Sequence, residues 1–160
     1  MNKLLPLLLA TPLAAHGHDS KQNGNTTPGI SGDYVVRLEE MTAIEAGKGE
    51  KIHLLRGGEH GFESLSFILT ETAPGGGPPL RTHESEEAHV LTSGTMSYVI
   101  GDRTFVVSAP YILRVPENTP HTFINAGTTP LALTAVFGSA NYTFKPIAPN
   151  PLQKPADAKP

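Results

Sequence analysis

The sequence predicts an all-β domain, a sandwich or closed barrel of short strands. Three observations carry this. Short runs rich in Thr, Val, Ile and Phe recur along the chain. Turn residues punctuate them at even spacing, with 16 Gly and 15 Pro among 160 residues. No stretch keeps a helical period for a useful length, and no internal repeat is visible.

The chain opens with a segment that reads as an address. Lys3 supplies a short positive region, Leu4 to Leu13 an apolar one, and Ala14 and Ala15 small residues at a plausible cleavage point. A leader over residues 1–17 is expected, and it is shorter than the ~20 apolar residues that cross a bilayer. The expected protein is therefore secreted, extracellular or periplasmic, with no membrane partner. Residues 18–32, rich in Gly, Asn, Ser and Thr, carry too little apolar surface to fold alone and read as a flexible segment. Cleavage after Ala15 leaves His16-Gly17-His18 at the terminus, a weak candidate copper or nickel chelate. Asn25 and Asn141 sit in N-glycosylation acceptor patterns, which chance also produces.

The domain itself is expected over residues 33–145. Strand-like runs fall at Tyr34 to Leu38, Ile52 to Arg56, Ser64 to Glu71 and Ala88 to Thr92. They continue at Thr95 to Ile100, Arg103 to Val107, Tyr111 to Val115, His121 to Asn125 and Leu131 to Phe137. Gly101-Asp102 stands between two of them as a hairpin turn. Phe62, Phe67, Phe105, Phe123 and Phe137 are expected in the core. The tail, residues 146–160, carries Pro146, Pro149, Pro151, Pro155 and Pro160 and should be extended, either packed along the domain or loose.

Composition excludes some classes of partner. The formal net charge is -3 and 17% of residues are charged, with no basic run to bind nucleic acid. There is no cysteine, so the core must stand without disulfides, which a domain of this length can do. No Ser-His-Asp set, phosphate loop or dinucleotide fingerprint appears.

The chemistry concentrates in two segments. In Pro78-Pro79-Leu80-Arg81-Thr82-His83-Glu84-Ser85-Glu86-Glu87, strand alternation gives Arg81 and His83 one face. A turn over Glu84 to Glu86, expected to be solvated, precedes Glu87, which begins the next strand and shares a face with His89. In the second segment, Pro116 and Pro120 bracket a tight turn, and His121 opens a strand running inward. Imidazole and carboxylate converging from separate strands are the usual ligands of Fe, Mn, Ni, Cu or Zn. His53 and His60 are weaker candidates, either cavity-lining or plain surface.

These segments resemble the two motifs of the cupin superfamily. Five residues separate Gly75 from Arg81; His83, Glu87 and Gly94 follow at the family spacing. Pro116, His121 and Asn125 match the second motif, with Pro110 and Asn118 in place of its glycines. Asn at 118 is mild, since it tolerates positive φ. The resemblance implies a double-stranded β-helix (jelly-roll) barrel and one divalent transition metal held by His83, Glu87 and His121. Arg81 stands where the family has its first histidine ligand, and guanidinium does not ligate metals. It is a candidate clamp for a substrate carboxylate or enolate, or else an ion-pair partner of Glu86 or Glu87. His89 is a candidate fourth ligand or a substrate-lining residue.

The Gly75-Gly76-Gly77-Pro78-Pro79 loop makes the chain similar to small single-domain cupins compared with flavonol (quercetin-type) dioxygenases. That likeness implies an enolisable small-molecule substrate and a Glu87 that doubles as ligand and catalytic base. The alternatives are a non-catalytic extracellular binding protein and a cupin lyase or isomerase. A homodimer is a family expectation that no residue demands.

Overall fold

The computed structural model describes residues 34–153. The expected leader, the His16-Gly17-His18 terminus, Asn25 and the end of the tail lie outside the described residues. Among the described residues no helix is long and apolar enough to cross a membrane.

Eleven strands form the domain: β1 (Thr42–Gly47), β2 (Glu50–Leu55), β3 (Ser66–Thr72), β4 (Leu80–Thr82), β5 (Glu87–Leu91), β6 (Thr95–Ile100), β7 (Arg103–Ser108), β8 (Tyr111–Val115), β9 (His121–Asn125), β10 (Thr134–Phe137) and β11 (Lys145–Ala148). They build two antiparallel sheets, ordered β1-β2-β3-β10-β5-β8 and β11-β4-β9-β6-β7. The inner faces of the two sheets enclose the core, as in a jelly roll. Burial alternates with period two along β2, β3, β5 and β6, so each strand commits one face inward.

Three strands fall where the sequence puts them to the residue: β6, β8 and β9. The β6–β7 hairpin turns at Gly101-Asp102, with Gly101 at φ 59°. Gly94, at φ 96°, makes the β5–β6 turn with a backbone that side chains resist. Gly77 is required for a different reason: a Cβ there would lie 2.0 Å from the Phe123 carbonyl oxygen. Asn118 takes φ 54°, the conformation that its motif position was expected to need.

Other expectations need correction. Tyr34 to Leu38 forms no strand. The free edge of β2 is taken by β1 instead, and Leu38–Glu40 closes a short 3-10 turn braced by Arg37 N–H donating to Glu40 Oε2 at 2.6 Å. Leu131 to Phe137 is a ladder only from Thr134; Leu131 makes an isolated bridge to Thr72, and the Leu133 N–H donates to the Thr70 hydroxyl at 3.1 Å rather than to a strand carbonyl. β11 carries the sheet past residue 145, so the first part of the Pro-rich tail packs on β4. Of the five phenylalanines expected in the core, Phe123 and Phe137 are buried, while Phe62 and Phe105 are exposed.

Two apolar clusters fill the interior. Leu91, Met96, Tyr98, Phe123, Leu131 and Leu133 pack at one end of the barrel. Ile52, Leu54, Ile68, Ala135 and Phe137 pack along the first sheet, with Tyr142 against them.

Candidate metal centre

Strand register brings the motif residues together. Arg81 on β4 pairs directly with His121, the first residue of β9. His83 follows β4, and the turn after it returns the chain to Glu87, the first residue of β5. That turn is pinned from outside. Asn118 N–H donates to the His83 carbonyl at 2.8 Å, Gly138 N–H to the Glu86 carbonyl at 3.0 Å, and Glu84 N–H to the Thr143 hydroxyl at 2.9 Å. Glu86 itself faces out and pairs with exposed Arg114. Glu84 is exposed, as expected for the turn.

His83, Glu87 and His121 are all buried, and one donor atom from each lies within 4.8 Å of the others. The histidine orientations are fixed from behind. His83 donates its Nδ1–H to the Thr143 carbonyl, and His121 donates its own to the Thr119 carbonyl at 2.8 Å. That tautomer leaves each Nε2 with a lone pair directed inward. His121 Nε2 meets Glu87 Oε2 at 2.7 Å, and His83 Nε2 lies 3.7 Å from the same oxygen. His83 Nε2 is buried with no hydrogen-bond partner.

The electrostatics push all three toward their ligating forms. Burial lowers His83 to about 4, outweighing the opposite pull of Glu87, and burial followed by the Arg81 charge lowers His121. Burial alone would raise Glu87, but His89, His121 and Arg81 together hold it well below the usual carboxylate range. A carboxylate oxygen and an imidazole nitrogen at 2.7 Å need a proton or a metal cation shared between them. The orphaned His83 Nε2 points at the same place. These residues therefore fit one divalent transition metal, held by two histidines and a carboxylate with positions left open.

Arg81 and His89 flank this set without joining it. Arg81, 5% exposed, donates to the His121 carbonyl at 3.3 Å, lies 3.8 Å from Glu87 Oε1 and stacks over Phe123 at 5.4 Å. Of its two expected partners, the structure selects Glu87 and not Glu86. His89 is wholly buried behind Glu87, with Nε2 2.8 Å from Oε1. Its Nδ1 lies 3.2 Å from the Tyr98 hydroxyl, which lies 3.0 Å from that of Tyr111. The consistent arrangement has Tyr111 donating to Tyr98, Tyr98 to His89 and His89 to Glu87. His89 thus orients the ligand from behind rather than ligating or lining the cavity. His53 sits on the outer face of β2 and His60 in the short turn Gly57–His60; neither reaches the site.

His83 and Glu87 open on a cavity of about 30 Å³, lined also by Glu50, Ile52, Thr70, Arg81, Phe123 and Phe137 among others. The strap 138–144 contributes Tyr142 and Phe144 to its wall. The Tyr142 and Phe144 rings lie 5.4 and 6.0 Å from His83, and Arg56 holds the Tyr142 carbonyl at 3.3 Å. Sequence reasoning missed both this strap and Glu50. The only available signal for Glu50 was alternation, since it shares a face with Ile52 and Leu54.

Residues 68–137 match the family model described as a cupin domain. No curated protein matches the chain. Among solved structures, the chain is similar to the S161A mutant of Bacillus subtilis oxalate decarboxylase, at 23% identity and a TM-score of 0.62 over 69% of this chain and 31% of that one. A second structure of the Bacillus subtilis enzyme, from work on its Mn(II) centres, matches at 24% and 0.63 over 69% and 31%. The Lactobacillus farciminis oxalate decarboxylase formate complex matches at 24% and 0.60 over 68% and 34%. The chain thus spans about a third of the length of the decarboxylases it resembles, and at this identity the likeness is one of fold.

Proposed function

We propose that this chain, a member of the cupin superfamily by its barrel and motifs, is a metal-dependent enzyme that cleaves a bond next to a carboxylate or enolisable carbonyl in a small organic acid. The observation that carries the reading is the orphaned, buried His83 Nε2, which converges with Glu87 and His121 beside a cavity that also holds Arg81. A divalent ion bound there would act as a Lewis acid on a substrate oxygen.

The chain's own residues supply the rest. Arg81 remains cationic and offers a forked donor to a substrate carboxylate. Glu87, held charged by His89, His121 and Arg81, serves as ligand rather than as the base that the resemblance implied. The apolar wall of Ile52, Ile68, Phe123 and Phe137 excludes water and strengthens each polar contact. Size argues for a small acid over a flavonol. A cavity of about 30 Å³ has room for about two waters, and Tyr142 and Phe144 would have to swing away to admit a fused aromatic ring. The decarboxylase likeness favours the lyase reading over oxygenation in the same direction.

The test is to load the purified protein with Mn, Fe, Ni, Cu or Zn and follow oxalate, small 2-keto acids and a flavonol by carbon dioxide release and O2 uptake. Turnover of a small acid without net O2 consumption is the expected result. Stoichiometric O2 uptake with the flavonol would replace it with the dioxygenase reading, and binding without turnover would make the barrel a non-catalytic receptor. We propose further that the protein is exported through the leader over residues 1–17, which N-terminal sequencing of exported protein would test.

A further inference from the structure

Glu50 is the one acidic group in the cavity that the metal reading leaves unused. It lies on the inward face of β2, is 2% exposed, and lines the cavity with Arg81, His83 and Glu87. Its Oε2 is buried with no hydrogen-bond partner, and no cation lies within ion-pair distance among the described residues. A charged carboxylate so placed is costly, whereas a carboxylic acid there is a hydrogen-bond donor aimed into the cavity.

We propose that Glu50 determines the specificity of the cavity: carrying a proton, it donates a hydrogen bond to a small carboxylate whose charge Arg81 balances. This rests on the small-acid reading above and adds a residue and a proton requirement to it. The groups facing Glu50 come from several elements. β4 brings Arg81, β5 brings Glu87, β3 brings Thr72, and the 138–144 strap brings Tyr142. The cavity wall adds His83 after β4, while β1 contributes only Ala46 and β9 and β10 present apolar side chains. Burial raises Glu50 to about 7; Arg81 pulls it down, Glu87 pushes it up and Thr72 lowers it. A second carboxylate entering beside Glu87 and Glu50 meets like charge unless one proton is present, and Glu50 is placed to hold it.

The linkage has a definite sign. Ligand binding requires protonated Glu50, so affinity is full below the pKa of Glu50 in the metal-loaded protein, which the cation draws below the metal-free value of about 7, and falls above it. The test is calorimetric titration of oxalate into metal-loaded wild type and Glu50→Gln, with metal content checked after each run. Wild type should lose roughly tenfold in affinity per pH unit above that value, taking up one proton on binding. Glu50→Gln keeps a neutral donor and should show a flat profile, so that it binds roughly 100-fold more tightly than wild type two units higher. A carboxylic-acid infrared band should also be present in ligand-free wild type on the acid side and missing from Glu50→Gln. An unchanged pH slope in Glu50→Gln, uniform weakening at every pH, or survival of the band overturns the Glu50 assignment alone. Failure of wild type to bind oxalate at any pH overturns it together with the small-acid reading.

Discussion

The barrel interior has two ends, buried to the same depth and held by opposite means. At one, Leu91 and Met96 are wholly buried and stand by packing. At the other, His83, Glu87 and His121 are 1–4% exposed and are polar throughout. Strands β5 and β9 run through both: Glu87 and Leu91 begin and end β5, and His121 and Asn125 begin and end β9. The apolar end tolerates apolar side chains of the right volume. The polar end requires each residue, since its members hold one another or a backbone carbonyl and leave only His83 Nε2 free for an ion. The difference teaches where stability and chemistry separate on a shared scaffold.

Substitutions on one strand divide the two ends most sharply. Glu87→Ala leaves Arg81, His89 and His121 buried without their common partner, and should cost about 3–5 kcal/mol in denaturant unfolding and abolish metal binding. Leu91→Ala, at the far end of the same strand, should cost about 3 kcal/mol while metal stoichiometry stays unchanged. Loss of metal from Leu91→Ala would break the comparison, because the two ends would then act as one unit.

Acid sharpens the contrast. His83 is depressed from 6.5 to about 4, so its neutral form is the folded one. Its contribution is therefore full above 6.5 and is lost as pH falls from there toward 4. Glu87, depressed from 4.5, is lost only below that value. Metal-free protein should weaken by up to roughly 3 kcal/mol across the His83 window. His83→Gln should flatten that decline, as followed by thermal unfolding at several pH values. The smallest effect concerns Arg81: Arg81→His restores the family's missing imidazole and removes a cation beside the site, so divalent metal affinity should rise roughly 10–100-fold, on the scale of ligand-shell changes. A competitive chelator titration that finds no gain would mean that position 81 does not face the ion.

Much of this was legible because period-two patterning and turn chemistry are local. Thr95–Ile100 and Tyr111–Val115 alternate and stop at Gly101 and Pro116, and His121–Asn125 starts just after Pro120. β1 was missed because Thr42–Gly47 is exposed over four of six residues, so no apolar face marks it. β11 was missed because Pro146 reads as a breaker, yet an edge strand accepts it. At the site, the resemblance to the two cupin motifs identified the three donors. It could not rank the roles of Arg81 and His89, since both depend on which side of Glu87 each side chain reaches. Glu50 and Tyr142 escaped because burial of a lone carboxyl and closure by a loop are set by the far sheet and strap, not by neighbours in sequence.

The most direct measurement is metal stoichiometry by elemental analysis, on wild type and His121→Ala dialysed against Mn, Fe, Ni, Cu and Zn in turn. Convergence of three donors predicts one ion per wild-type chain and a large loss of it in His121→Ala, with both proteins folded. A wild type that retains no ion of any of the five metals, or a His121→Ala that retains it undiminished, contradicts the account.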